Sequence, residues 1–240
     1  MAIDINFTET RGVSVEAFMT VPPRLACFLP ICLYSFMANK PFLQEYLPWA
    51  VTRGSCIKII IGDYLERHNI MVFDSISEAN AIIKAKKKGD RVHRMIKTIL
   101  SNVENKNDIQ IYSCESDIET DECKKIADNL RTYLETDPSF KFDIEEQTSL
   151  MLAGNKRYFL DAIDKGSMLR LSEYMIEELA LYIYLYHQGF KTEIYPGKDM
   201  KVLQRITTSQ YREFPYVLSE RTHISVSVGL DGGSSYAQMG

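Results

Sequence analysis

The chain has 240 residues, of which 45% carry hydrophobic side chains, and its formal net charge at pH 7 is −4. Such a chain can bury one sizeable core, which predicts a single α/β domain over residues 1–229. The negative net charge excludes a global basic field, so any binding of nucleic acid must depend on a local patch.

The amino-terminal quarter predicts two core strands separated by a helix. Residues 1–22 are mixed and predict an arm or a short edge element. The apolar run 25–34 predicts the first strand, although a central strand disfavours Pro30. Helical spacing over 41–53 predicts a helix, and the short branched run 56–61 predicts a central parallel strand.

The rest of the chain continues this alternation. A long helix is predicted from the N-cap Ser77 to about Asn105. Strands separated by helices of ten or more residues, without a fixed-period repeat, predict a right-handed crossover α/β sheet. The small, polar residues 230–240 predict a flexible C-terminal tail. The remaining predicted elements are a strand at 109–112, helices at 118–134, 143–152 and 168–187, and a strand at 191–195.

The cysteines, the histidines and the amino terminus restrict the kinds of site and the compartment. The five cysteines include no C-x-x-C pair and the four histidines lack metal-ligand spacing, so neither a disulfide framework nor a metal site is expected. Reduced thiols are typical of the cytosol. The start is not a signal peptide, and no apolar run approaches the ~18 residues of a membrane span. We expect a soluble, cytoplasmic protein without a membrane segment.

One serine is predicted to lie where open α/β sheets bind their ligands. Ser35 directly follows the first predicted strand, and ligands bind in the crevice beyond the carboxyl ends of such strands. Its hydroxyl is therefore a candidate nucleophile. The alternative is a capping or turn serine. No G-x-S-x-G sequence surrounds Ser35, which disfavours an ordinary α/β-hydrolase.

The predicted helix 168–187 is apolar on nearly every face, so the carboxylates within it require an explanation. Tyr174 and Glu178 lie four residues apart on one face, where a phenol and a carboxylate could grip a substrate ammonium group. A buried carboxyl also exchanges protons near neutral pH. The alternative is that Glu178 pairs with a core Arg or Lys and that Tyr174 only packs. Tyr195 closes a predicted strand, and Pro196 stiffens the chain after it.

A basic stripe runs along the predicted helix that begins at Ser77. On an acidic protein this stripe is a focused charge suited to a phosphate backbone, and the alternative is a solvated helix face. The opposite, core-facing stripe consists of Ile82, Ala85, Val92, Ile96 and Ile99. The basic stripe consists of Lys84, Lys87, Lys88, Arg91 and Arg94.

Four short segments, taken together, resemble the cyclodipeptide synthases, and their order and spacing match over most of the chain. Ala38 and Tyr195-Pro196 resemble the branch of that family with Tyr-Pro rather than Tyr-His. The four segments are Tyr34-Ser35, Asp63-Tyr-Leu-Glu-Arg-His-Asn69, Tyr174-x-x-x-Glu178 and Ile194-Tyr-Pro-Gly197.

The resemblance implies a Rossmann-like, mostly parallel sheet flanked by helices, similar to the catalytic domain of class I tyrosyl- and tryptophanyl-tRNA synthetases. It implies that two aminoacyl-tRNAs are joined into a cyclic dipeptide by a monomer that needs no ATP and no cofactor. Ser35 would accept the first aminoacyl group, and Tyr174 and Glu178 would hold its amino group. Tyr195 would relay a proton during ring closure, and the basic stripe would contact the tRNA.

Two other functions stay open on the residues alone. The first is a non-catalytic RNA-binding α/β domain in which Ser35 is a turn residue, and such a protein would gain no covalent adduct from charged tRNA. The second is a serine esterase that hydrolyses aminoacyl esters, although no pairing of His with Asp supports it. Free amino acid as the sole product would favour the esterase.

Overall fold

A sheet of six strands runs through the part of the chain that the structure describes. The structure is a computed structural model, and it describes residues 4–10, 26–33, 35–104, 108–154 and 164–229. The strands are β1 (Asp4–Thr10), β2 (Ala26–Ile31), β3 (Cys56–Ile61), β4 (Asp108–Ser113), β5 (Thr192–Tyr195) and β6 (Thr222–Gly229).

The strand order is β1-β6-β5-β2-β3-β4, in which β2 to β6 are parallel and β1 pairs antiparallel with β6 at one edge. From β2 the chain adds β3 and β4 on one side and later β5 and β6 on the other. The order therefore reverses between β2 and β5, which makes this the topological switch point of the sheet.

Helices cover both faces of the sheet, as predicted for an α/β fold. Cys27 and Leu29 of β2 face one core with α1 and α3, whereas Phe28 faces the other core with α5, α6 and α7. This alternation follows from the two-residue period of a strand. The helices are α1 (Lys40–Ala50), α2 (Glu66–Phe73), α3 (Glu78–Leu100), α4 (Glu115–Ile118), α5 (Asp121–Thr136), α6 (Pro138–Gly154), α7 (Lys165–His187) and α8 (Lys201–Thr207).

The first core strand is shorter than its apolar sequence predicts. It ends at Ile31, and a 3₁₀ turn follows at Phe36–Ala38. Tyr34 lies outside the described residues. The prediction that Ser35 directly follows the strand was therefore wrong, because Cys32 is the residue in that position.

Several other boundaries differ from the predicted ones. Strand β6 and helices α2, α4 and α8 were not predicted, whereas strand β1 agrees with the edge element predicted as one possibility for 1–22. Ser77 stands at the N-cap of α3, but its side chain makes no capping hydrogen bond. The proposed tail 230–240 lies outside the described residues. Among the helices described, none combines the length and the apolar character that crossing a bilayer demands.

Candidate active site

A cavity opens at the carboxyl edge of the sheet, at the switch point between β2 and β5. These strands pair only at Cys27 and Phe28 of β2. Further along β2, Pro30 lacks an N–H group to donate and lines the cavity. The cavity volume is about 30 Å³, room for about two water molecules, so a substrate must displace side chains at its wall. The polar side chains of the wall are those of Cys32, Tyr174, Glu178, Tyr182 and Tyr195.

Three of the four residues predicted to be catalytic line this cavity. Tyr174 and Glu178 project from α7, and the Tyr174 hydroxyl donates to Oε1 of Glu178 over 3.5 Å. Tyr195 reaches the cavity from the end of β5. The helical spacing of four residues and the strand end thus bring two phenols and one carboxyl group to a single cavity.

Glu178 has the pKa of a group that exchanges protons near neutrality. Burial, then the charges of Glu193 and Glu66, raises its pKa to about 8. The ion pair considered as an alternative for Glu178 is made instead by its neighbour. Glu177 accepts from Nη2 of Arg67 at 2.6 Å and lies 3.1 Å from Nε2 of His68.

Cys32 contributes a thiol to the cavity that the sequence analysis did not single out. Its Sγ lies 3.9 Å from the Tyr174 hydroxyl and 4.0 Å from Oε1 of Glu66. Glu66 is buried on α2, and its other oxygen accepts from Nδ2 of Asn69 at 2.8 Å. Burial, Glu66 and Glu178 together raise the pKa of the thiol. The sequence does not show that Cys32 directly follows the strand, because the apolar residues continue past Ile31.

Ser35 lies outside the cavity wall as far as the described residues define it. Its hydroxyl donates to the carbonyl of Cys32 at 3.1 Å and accepts from the N–H of Met37 at 3.1 Å. Both are hydrogen bonds of a turn residue. Ser35 is thus connected to the cavity through the backbone of Cys32.

A buried ionic cluster holds the turn that follows Tyr195. Arg221 donates to both oxygens of Asp199, at 2.7 and 3.0 Å, and to Glu193 at 2.5 Å. Glu193, Asp199 and His223 have the proximity of a metal site, but Arg221 and the imidazolium of His223 already supply two positive charges to the two carboxylates. His223 faces Glu193 through Nδ1 at 3.1 Å and the carbonyl of Gly197 through Nε2 at 3.3 Å.

Both ring nitrogens of His223 face oxygens that accept hydrogen bonds, an arrangement that suits the protonated imidazolium. Burial would lower the pKa of His223, but Glu193 and Asp199 outweigh it and raise that pKa. Ser225 also donates to the Gly197 carbonyl at 2.7 Å. An added Cβ at Gly197 would lie 2.7 Å from the Tyr195 ring, so the cluster and this glycine together fix the position of the phenol.

The chain shares the fold of cyclodipeptide synthases. The structure of such a synthase from Fluoribacter dumoffii superposes with a TM-score of 0.77 at 15% sequence identity, covering 95% of this chain and 99% of that one. A cyclodipeptide synthase from Bacillus thermoamylovorans gives 0.70 at 14% identity, with coverage of 93% and 95%.

The tyrosyl-tRNA synthetase of Archaeoglobus fulgidus gives a TM-score of 0.50 at 7% identity, covering 88% of this chain and 56% of that one. The Rossmann-like sheet predicted from the sequence is thereby confirmed, and at these identities the likeness concerns the fold. No family model matches the chain, and no curated protein matches it by sequence.

The basic stripe lies on α3. Lys84, Lys87, Arg91 and Arg94 are exposed, whereas Lys88 is half-buried. Lys88 lies close enough to Cys32 that its charge partly lowers the pKa of that thiol. Nζ of Lys84 forms a salt bridge with Oδ2 of Asp74 at 2.6 Å. Of the core-facing stripe, Ala85, Val92, Ile96 and Ile99 are buried as predicted, and Ile82 is only half-buried.

Gly89 explains how closely this helix approaches the sheet. An added Cβ at Gly89 would lie 2.5 Å from Oδ2 and 2.6 Å from Cβ of Asp63, the residue just beyond β3. Asp63 cannot move away easily, because its Oδ1 accepts from Ser113 at 2.6 Å and from the N–H of Tyr64 at 2.9 Å. The lack of a side chain at Gly89 therefore lets α3 lie against the carboxyl edge of the sheet, where Lys88 comes near Cys32.

Proposed function

We propose that the protein is a cyclodipeptide synthase that joins the aminoacyl groups of two aminoacyl-tRNAs into a diketopiperazine. The observation that carries this proposal is the cavity at the switch point. Tyr174, Glu178 and Tyr195 meet there beside Cys32, where the segment after β2 begins. The fold that the chain shares with solved cyclodipeptide synthases supports it.

The reaction proposed is a ping-pong transfer through an aminoacyl-enzyme and then a dipeptidyl-enzyme. The carrier proposed is the hydroxyl of Ser35, which lies in the turn after β2 and donates a hydrogen bond to the carbonyl of Cys32 in the cavity wall. Tyr174 and Glu178 hold the amino group of the first aminoacyl unit. A narrow cavity also limits the access of water to the acyl ester, which disfavours hydrolysis.

Proton transfer is the role proposed for Glu178 and Tyr195. The pKa of about 8 for Glu178 is close to the value of ~8 for an α-amino group. Transfer from the ammonium to this carboxylate is therefore nearly balanced in free energy, which is favourable for general base catalysis. The amine so formed attacks the second aminoacyl ester, and Tyr195 relays a proton as the ring closes.

Because the proposed substrates are aminoacyl-tRNAs, the proposed reaction needs no further source of activation. An aminoacyl ester is already activated, so no ATP, metal or other cofactor takes part in the proposal. Charged tRNA is a cytoplasmic metabolite, which agrees with the cytoplasmic location expected from the sequence. By resemblance, Tyr195-Pro196 assigns the protein to the Tyr-Pro branch of the synthases, and we propose that it acts as a monomer.

The function is tested by incubating the protein with total bacterial tRNA charged with the twenty proteinogenic amino acids and analysing small molecules by mass spectrometry. We expect one or a few diketopiperazines, and none when uncharged tRNA, free amino acids and ATP are supplied instead. Release of free amino acids without any cyclic product would identify an esterase. Binding of tRNA without turnover would identify an RNA-binding domain, and either outcome would refute the proposal.

The tRNA surface proposed is the exposed part of the basic stripe on α3. Reversing two charges, Lys87→Glu with Arg91→Glu, removes two contacts with phosphates, each of which releases counterions. We expect at least tenfold weaker binding of tRNA and a slope of log affinity against log salt that is smaller by about 2. Filter binding at several salt concentrations measures both.

The matched control for the tRNA surface reverses two exposed lysines on the helices α5 and α6, Lys125→Glu with Lys141→Glu. This variant has the same net charge as the test variant. If both variants lose the same affinity and the same salt slope, the effect is that of net charge, and the tRNA surface does not lie on α3.

A further inference from the structure

A chain of hydrogen-bonding groups leads from Glu178 in the cavity wall to a second carboxyl group. The Tyr174 hydroxyl lies 3.5 Å from Oε1 of Glu178 and 3.9 Å from Sγ of Cys32. The thiol in turn lies 4.0 Å from Oε1 of Glu66, a residue of α2 that is 1% exposed. A phenol and a thiol, each able to donate and to accept a hydrogen bond, thus connect two carboxyl groups.

We propose that Tyr174 and Cys32 pass a proton from Glu178 to Glu66, so that Glu66 stores the first of the two protons that one catalytic cycle releases. This inference rests on the proposed function and adds a proton store to the same site. Cys32 and Glu66 act through Tyr174 and Glu178, so we assign them as positioning residues for proton transfer.

The proposed reaction releases two protons beyond those that the leaving groups take up. Transfer of the first aminoacyl group from ribose to Ser35 exchanges one ester for another and releases none. Each of the two amide bonds then forms from an ammonium group, which must lose two protons to become an amide nitrogen. One of them leaves with the departing oxygen, of the tRNA in the first case and of Ser35 in the second, and the other is surplus. Glu178 holds one surplus proton, so it must pass the first on before it accepts the second.

The surroundings of Glu178 leave Glu66 as the acceptor for that first proton. The cavity has room for about two water molecules, and the substrate displaces these. Glu193 is also close to Glu178, but it accepts from Arg221 at 2.5 Å and faces His223 at 3.1 Å. Among the described carboxylates near Glu178, Glu66 is therefore the one that the phenol and the thiol connect to it.

The relay requires neither a thiolate nor a phenolate. At rest the thiol donates to Glu66 and the phenol donates to Glu178. Once Glu178 is protonated, its O–H group donates to the phenol, the phenol proton turns to Sγ, and the three protons each move one position towards Glu66. Burial raises the pKa of Cys32 and of Tyr174, so both groups carry a proton before and after the shift. We expect these long hydrogen bonds to shorten when substrate fills the cavity.

A change in pH dependence alone does not identify the relay, because Glu66 also acts through its charge. After burial and Glu193, the charge of Glu66 raises the pKa of Glu178, so Glu66→Gln should lower that pKa in any case. The rate of ring closure is therefore the decisive quantity. The titratable and charged groups that face Glu178 and the thiol are Cys32 after β2, Glu66 of α2, Lys88 of α3, Tyr174 and Tyr182 of α7, and Glu193 and Tyr195 of β5.

The relay is tested by stopping the reaction of the whole protein with charged total tRNA at short times and measuring intact masses. The aminoacyl-enzyme carries one aminoacyl group and the dipeptidyl-enzyme carries two, so the two intermediates are resolved. Cys32→Ala breaks the chain of groups and should slow ring closure at least tenfold more than it slows formation of the dipeptidyl-enzyme. The dipeptidyl-enzyme should therefore accumulate. Glu66→Gln should accumulate the same intermediate, because it removes the acceptor.

The conservative variant and a matched control separate proton transfer from packing. A serine hydroxyl also donates and accepts, so Cys32→Ser should restore ring closure relative to Cys32→Ala. The control is Cys56→Ala, which removes another half-buried thiol, at the first residue of β3, and should not accumulate the dipeptidyl-enzyme. Circular dichroism verifies that each variant is folded, and the two Cys32 variants are sufficient if Glu66→Gln does not fold.

Three outcomes would overturn the relay. Ring closure that is equally slow in Cys32→Ser and Cys32→Ala would show that the thiol only packs. Undiminished ring closure in Cys32→Ala would show that no proton passes through the thiol. A lower apparent pKa in Glu66→Gln without accumulation of the dipeptidyl-enzyme would show that Glu66 acts by charge alone. Failure of the proposed function is distinct, since the unaltered protein would then form neither intermediate and no diketopiperazine.

Discussion

Arg221→Met is expected to lower the free energy of unfolding by about 3–5 kcal/mol at pH 7, the usual cost of removing one partner of a buried ion pair. Arg221 is 7% exposed and makes three hydrogen bonds to Glu193 and Asp199, which are 3% and 7% exposed. Methionine fills a similar volume but leaves both carboxylates without the guanidinium. Chemical denaturation, followed by circular dichroism, measures the loss.

The dependence of this loss on pH identifies its electrostatic origin. Burial would raise the pKa of Glu193, but His223 and Arg221 together hold it below its usual value of 4.5. A lowered pKa in the folded state contributes stability above pH 4.5, and that stability is lost as the pH falls through the folded-state pKa. The difference between Arg221→Met and the unaltered protein should therefore narrow on acidification towards pH 3.

The matched control is Arg131→Met, in which the lost pairs are with Asp128 and Glu173 at a side chain that is 37% exposed. Exposed pairs of this kind contribute less than ~1 kcal/mol. Equal destabilisation by the two substitutions, or a loss in Arg221→Met that does not vary with pH, would contradict the role assigned to the buried cluster.

The same cluster shows why part of the fold could not be predicted from local sequence. The branched side chains of the run 56–61 are sufficient to predict a strand, and β3 has the predicted bounds. In β6, His223 and Ser225 interrupt the apolar pattern, yet both are buried. Their burial is possible because Glu193 and Gly197 provide their partners, and no local pattern contains that information.

The sequence predicts the part of the candidate site whose geometry is fixed within a single helix. A spacing of four residues brings Tyr174 and Glu178 together on α7, and the structure has both at the cavity. The position of Ser35 relative to the first strand depends instead on where β2 ends. The apolar residues continue past Ile31, so composition extends the strand to residue 34 and makes Ser35 the first residue after it. The strand ends earlier, which gives Cys32 that position.

Glu178→Gln is expected to make the protein more stable at alkaline pH and to abolish synthesis of the cyclic product. Burial, then Glu193 and Glu66, raises the pKa of Glu178 from 4.5 to about 8. A pKa that is higher in the folded state contributes stability below pH 4.5, and that stability is lost as the pH rises to 8. The ionisation of Glu178 therefore lowers the free energy of unfolding by roughly 3–5 kcal/mol. Glutamine does not ionise, so the variant keeps this stability at alkaline pH.

Chemical denaturation at pH 5 and pH 9 measures the difference in the free energy of unfolding between Glu178→Gln and the unaltered protein. This difference should be small at pH 5 and reach a few kcal/mol at pH 9. Turnover with charged tRNA should fall at least 100-fold, since glutamine cannot accept the proton of the substrate ammonium. In the unaltered protein, the rate should rise with pH through an apparent pKa near 8. A variant that kept its turnover would contradict the assignment of Glu178 as the base.

The adjacent residue on α7 is the matched control, and its effect on stability has the opposite sign. Burial would raise the pKa of Glu177, but His68 and Arg67 outweigh burial and lower it. Glu177→Gln leaves the buried guanidinium of Arg67 with only the exposed carboxylate of Glu78, at 3.5 Å, so this variant should be less stable than the unaltered protein at neutral and alkaline pH. Two neighbouring glutamates would then respond oppositely to the same substitution, because the ionised Glu177 stabilises the fold whereas the ionised Glu178, the proposed base, destabilises it.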